Sequence, residues 1–199
     1  MSGNVVALPQ RGKTYLKGPN RTPDTTATSA IAIEGIKKVF KDLDYSGSPT
    51  LAPRSGGEVT CILVRNDSGI ALLPGRVCIW KASSQGKRVD GYTHTGAEGT
   101  SQVVAGIVDE WLPAAGVADD DYFWLVVKGP CLVKKALDAN TLTKDLWVAA
   151  ITAATSQATT AGRILSVLQT SGVTQASNQG LDRIGVAMST SATTAADVL

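Results

Sequence analysis

Few residues in this chain have the type and spacing that catalysis or ion binding requires. Gly12-Lys13-Thr14 follows the apolar stretch Val5-Val6-Ala7-Leu8, as a phosphate-binding loop follows its strand. That loop needs a glycine five positions before Gly-Lys-Thr so that backbone amides can wrap the phosphates. The position is Ala7, and Gly18-Pro19 stops any helix after Thr14. The tripeptide therefore reads as part of a basic segment. Asp119-Asp120-Asp121 offers the hard oxygens that Ca²⁺ and Mg²⁺ prefer, without the ligand spacing or distal glutamate of an EF-hand. It reads as a solvated turn leading into an apolar strand. Asp109-Glu110 is a carboxylate pair of the kind glycosidases use. Trp111, Tyr122, Phe123 and Trp124 would be the platforms of a sugar-binding surface, or else core.

His94 is the single histidine, so a Ser-His-Asp triad must use it, and a site with two or three histidines is impossible within one chain. It lies in Tyr92-Thr93-His94-Thr95-Gly96, and nothing around Ser83 and Ser84 resembles a nucleophile elbow. Cys61, Cys78 and Cys131 are odd in number and sit in or beside apolar runs. They read as reduced thiols packed as small hydrophobes, since an activated thiol would again require His94. No enzyme, cofactor or metal is expected.

The elements that hold these residues follow from composition. Of 199 residues, 43% are hydrophobic, 18% charged and only 5% aromatic, with 20 glycines. That is a globular composition rich in turns. The net charge of +2 does not argue for direct nucleic-acid binding. No apolar stretch is long enough for a membrane helix, and no membrane association is expected. The first residues lack the basic and apolar regions of a signal peptide, so synthesis and folding in a reducing cytoplasm are expected.

Charge divides the chain at residue 57. Residues 1–57 carry eight Lys/Arg against four Asp/Glu, a net of +4; residues 58–199 carry eleven against thirteen, a net of −2. Residues 1–57 read as an extended N-terminal arm and linker, with 51–57 a Pro/Gly loop and 31–45 a strand or short helix. Strands are expected at 59–65, 70–73, 76–82, 102–111, 122–128, 131–135, 146–151, 163–169 and 183–188. A polar loop over 83–99 carries His94, and Gly106 is placed to mark a bulge. The Tyr-Phe-Trp-Leu-Val-Val run at 122–127 predicts a strand buried on both faces. Short strands between turn signals, with no alternation of strand and helix, predict a mainly β fold: a compact β-sandwich or β-barrel over 58–199.

The stretch Leu63-Val64-Arg65-Asn66-Asp67-Ser68-Gly69-Ile70-Ala71-Leu72-Leu73-Pro74-Gly75-Arg76-Val77 runs strand, turn, strand. With Val104-Ala105-Gly106-Ile107-Val108-Asp109, Phe123-Trp124-Leu125-Val126-Val127-Lys128-Gly129-Pro130-Cys131 and Arg183-Ile184-Gly185-Val186-Ala187-Met188, it resembles the head decoration (cement) proteins of tailed phages. The resemblance spans residues 58–190; the arm falls outside it, and the long 83–99 loop departs from it. It implies a non-enzymatic virion protein on the capsid exterior, bound to the major capsid protein and stabilising contacts between capsomers. It also implies a homo-oligomer, a trimer being favoured. Another virion component, of capsid or tail, and a carbohydrate-binding β-module are the alternatives. Within the arm, Val5, Val6, Leu8, Tyr15 and Leu16 are expected to cover the partner. Arg11, Lys13, Lys17 and Arg21, with no acid among them, are expected to form ion pairs at the rim of that contact.

Overall fold

The computed structural model describes residues 11, 34–44, 52–82, 84, 86–92 and 103–134, and the backbone of 147–150, 164–166, 183–186 and 195–198. Among the described residues eleven strands follow in order: β1 (Lys37–Asp44), β2 (Ala52–Asn66), β3 (Val77–Ile79), β4 (Arg88–Val89), β5 (Val104–Val108), β6 (Tyr122–Lys128), β7 (Cys131–Lys134), β8 (Trp147–Ala150), β9 (Ile164–Ser166), β10 (Arg183–Val186) and β11 (Ala195–Val198). There is no helix among the described residues. The protein is mainly β, as its composition and turn spacing predict.

The principal sheet has the order β1-β2-β6-β5-β3, antiparallel throughout. β4 pairs in parallel with the end of β2, beyond β1. β11 pairs with β7, and β10-β8-β9 forms a third sheet. β2 and β6 sit at the centre because their side chains are apolar on both faces. Val59, Cys61 and Leu63 point one way and pack with Tyr122, Trp124 and Val126, with Ile107 and Val77, and with Cys131 and Val133 of β7. Ile62 and Val64 point the other way, packing with Phe123, Leu125, Cys78 and Val108 beneath Leu72, Leu112 and Val117 of the loops. The period of two in a strand thus yields two cores from one sheet.

Trp124, 1% exposed, is the largest fully buried side chain among the described residues, and Phe40 meets it edge-on at 5.2 Å between ring centroids. Truncating a buried tryptophan typically costs about 3–5 kcal/mol. Gly106 stands at the expected irregularity: the register slips between Cys78 and Ile79, opposite Gly106 and Val104. Its φ is +155°, and a Cβ there would lie 2.4 Å from the Val126 carbonyl oxygen. Only glycine permits that approach.

Several expected boundaries shift. Residues 52–57, expected as loop, continue β2 through the 57/58 boundary, paired in part with β1. Their glycines belong to a wide bulge, where Lys41 faces Glu58 but Leu43 faces Pro53. Within the 31–45 segment, Lys37–Asp44 is a strand, not a helix, because β2 supplies the partner that local periodicity cannot reveal. Of the expected 70–73 strand, Leu72 forms a single bridge to Val117. The 83–99 loop contains β4, and β11 has no counterpart in the sequence reading.

Candidate functional site

The bulge between β1 and β2 collects charge. Asp42 lies on β1 where the register slips, and Arg54 lies in the extra residues of β2. Asp109 and Glu110 follow β5 directly, and Arg11 reaches in from the N-terminal segment. Gly129-Pro130 turns β6 into β7 beside them; a Cβ on Gly129 (φ +104°) would lie 2.4 Å from the Glu58 carbonyl oxygen. That glycine lets the turn press on β2 and bring the Pro130 carbonyl within reach.

Arg54 spans the group. Its Nε donates to both carboxylate oxygens of Asp42 at 3.2 Å, one Nη donates to Glu110 at 2.8 Å, and the other lies 3.1 Å from Asp42 and donates to the Pro130 carbonyl at 3.3 Å. The Ser55 hydroxyl also donates to Asp42, at 2.6 Å. The Arg54 guanidinium sits 5.7 Å from the Trp111 ring centre, within cation–π range. Arg11 is only 2% exposed. Its Nε donates to Asp109 at 3.0 Å, and its terminal nitrogens lie 3.7 Å from Asp42 and from Glu110. Two guanidiniums and three carboxylates thus share one largely dry site.

Burial by itself would lower the pKa of Arg11, but the charge and hydrogen bond of Asp109 more than offset it and hold it above the ordinary arginine value. For Arg54 the carboxylates of Asp42 and Glu110 likewise outweigh desolvation. Burial pushes the Glu110 carboxyl up, against the opposing pull of Arg54. Every carboxylate in the cluster has a guanidinium neighbour, so the group has the character of a structural fastening rather than an acid–base pair. A buried hydrogen bond joins Arg11 and Asp109, which are 98 positions apart in the chain.

Arg11 therefore does not stand where the sequence reading put it. An exposed rim ion pair was expected, but its guanidinium is enclosed by its own chain's carboxylates. Val5, Val6, Leu8, Lys13, Tyr15, Leu16, Lys17 and Arg21 lie outside the described residues, as do Gly12, Thr14 and His94.

The aspartate turn is used for folding. Asp119 accepts the Gly69 amide at 2.9 Å, and Asp120, at a positive φ of 70°, pairs with Arg65. The buried Asn66 amide ties the turn down, donating to the carbonyls of Ile70, Val117 and Ala118 at 2.7, 3.0 and 3.1 Å. Among the described residues there is no cluster of three metal-ligating side chains. Trp124 and Phe123 are core, and buried Tyr122 donates its hydroxyl to Glu34 at 3.1 Å. Of the four residues considered as sugar platforms, this leaves Trp111, half-buried against Arg54. All three cysteines are free and buried. Burial pushes the Cys61 thiol up to about 12 and raises Cys78 and Cys131 as well, which keeps them out of thiolate chemistry.

A second charged region went unnoticed in the sequence. Beside the same bulge, Lys37, Val39 and Lys41 alternate on the face of β1 that also carries Ile62, Thr60 and Glu58 of β2. Lys128 of β6 pairs with Thr60 on that same face, after a register slip that leaves Val127 unpaired. All three lysines are exposed. Val39 is 53% exposed and Val127 36%. The signal was the Lys-x-Val-x-Lys alternation, legible only once the segment is known to be a strand.

No family model and no curated protein matches the chain. Among solved structures it is similar to a chain of "The capsid of Myoviridae Phage XM1", with 16% identity over 78% of this chain and 91% of that chain and a TM-score of 0.45.

Proposed function

We propose that this protein is a non-enzymatic structural component of a tailed-phage virion that binds the outer surface of the assembled capsid and fastens neighbouring capsomers. The observation that carries the reading is the use made of charge. Ionisable groups in the interior are tied across the sheet, Arg11 to Asp109, Arg54 to Asp42 and Glu110, and Glu34 to Arg88 and Tyr122, whereas Lys37, Lys41 and Lys128 stand on a surface. Such a protein acts by what its faces touch. The strand–turn–strand texture of residues 58–190 supports the same reading. So does the mainly β core, in which one sheet is buried on both sides and so resists deformation under load. The expected form is a homo-oligomer, a trimer by preference, because repeated copies on a lattice gain avidity.

The test is co-sedimentation of the purified protein with empty shells of the major capsid protein of its phage. Saturable binding at a fixed ratio to capsid subunits, with shells that withstand heating better, is the expected result. Failure to bind intact shells, with tight binding to tails or to soluble glycans instead, would transfer the protein to one of the alternative classes.

A further inference from the structure

The corner formed by Lys37, Val39 and Lys41 of β1, Thr60 of β2, and Val127 and Lys128 of β6 adjoins the bulge that holds the ionic cluster, since Lys41 precedes Asp42 and Lys128 lies two residues before Pro130, but it belongs to neither core. Across most of this face the loops of Leu72, Leu112 and Val117 cover the sheet, but Val39 and Val127 remain exposed. Register fixes the neighbours: Val39 faces Thr60, Thr60 faces Lys128, and Lys41 faces Glu58. Directly opposed side chains have Cβ atoms about 5 Å apart, so these residues form one continuous patch. Its middle is apolar or hydroxylic, its rim has three ammonium groups and one carboxylate, and no ion pair within 4 Å among the described residues engages the three lysines.

We infer that this sheet corner is the docking surface of the protein, and that its occupant is a protein face bearing carboxylates around a small apolar patch. This rests on the capsid reading, in which the occupant is the outer surface of the shell. Lysines on an edge strand also discourage unwanted strand pairing. That accounts for Lys37 and Lys41 on β1 but not for Lys128, which is two strands further in. A nucleic acid would find the cations but would leave Val39 and Val127 against sugar and phosphate. The patch also offers none of the aromatic platforms on which bases stack. An apolar middle with a charged rim is instead the layout of a protein–protein contact. In this arrangement the valines supply contact and the lysines steer the approach and set its salt dependence.

The experiment compares the full-length protein with the triple variant Lys37→Glu/Lys41→Glu/Lys128→Glu, in co-sedimentation with empty shells at low and moderate salt. All three positions are exposed, and circular dichroism checks that the variant keeps its strands. The milder set Lys37→Gln/Lys41→Gln/Lys128→Gln serves if the reversal does not fold. The expected result is binding weakened about tenfold or more for the reversal, less for the neutral set, with wild-type binding falling as salt rises. Three results would overturn the inference. If wild type and both variants bind shells equally, docking uses another surface and the capsid reading stands. If wild type does not bind shells, that reading and this surface fall together. If wild type binds duplex DNA more tightly than shells, with steep salt dependence that the triple variant loses, the patch is a nucleic-acid surface.

Discussion

Arg11 and Arg54 lie among carboxylates inside the protein, whereas Lys37, Lys41 and Lys128 stand in solvent on the same sheet, Lys41 directly beside Asp42 in the chain. Both regions are built on β1 and β2, and both use bulges, between Lys41 and Leu43 in one case and at Val127 in the other. The difference follows the chemistry of the two cations. A guanidinium is weakly hydrated and presents a planar fork, so Arg54 can satisfy Asp42, Glu110 and the Pro130 carbonyl at once. An ammonium is compact and strongly hydrated, so it remains outside unless a partner desolvates it. The enclosed cations belong to the fold, and the solvated ones remain available to a partner. A positive residue in the N-terminal segment is therefore not by that fact a docking residue, as Arg11 demonstrates.

The largest test of this contrast is at the enclosed site. Asp109→Asn leaves the buried Arg11 guanidinium without its hydrogen-bonded counter-charge, which should cost about 3–5 kcal/mol, measured by urea unfolding. Arg11→Ala should be of similar size, and the double variant should cost clearly less than both together, because the two residues share one interaction. Strict additivity would mean that Arg11 is not fastened through Asp109.

A smaller effect is expected from pH. Glu110 is held above its ordinary 4.5 in the fold, chiefly by burial, so between 4.5 and its raised value the folded state binds more protons than the unfolded one. Unfolding free energy therefore falls as pH rises through that window, as far as this group is concerned. Glu110→Gln should remove that component, so that in this window the slope of unfolding free energy against pH is more positive in the variant than in wild type. A slope more negative than that of wild type in the same interval would reverse the assignment.

The smallest effect should come from the exposed corner. Lys37→Ala, Lys41→Ala and Lys128→Ala should each change stability by within about 0.5 kcal/mol, read from the same unfolding curves. A cost above 2 kcal/mol for any of them would make it a structural residue and remove the contrast.

How much of this was legible in the sequence depended on the range of the interactions. The strand at Tyr122–Lys128 announces itself through an unbroken apolar run, and its first five residues are buried. Gly106 is recognisable because a glycine inside an apolar strand needs a reason, and the Val126 carbonyl supplies it. Residues 52–57 were read as loop from their proline and glycines, although a bulged strand tolerates both. The cluster of Arg11, Asp42, Arg54, Asp109 and Glu110 could not be read at all. Its members come together only through strand register, and Asp109-Glu110, noticed as a carboxylate pair, gave no hint that two arginines would enclose it. The basic face was hidden for a related reason: β1 looked equally like a helix, and a helix scatters the lysines that a strand aligns.

The seclusion of the three thiols has a practical consequence for imaging. Cys61, Cys78 and Cys131 are the only cysteines in the chain, and each is buried and held as a neutral thiol. Maleimide dyes and gold reagents react with accessible thiolates, so the native protein should take up almost no label while folded. Ile70→Cys, outside the proposed docking patch, would then create a single reactive position on an exposed loop. Each copy would carry one tag at a known place, without any native cysteine having to be replaced.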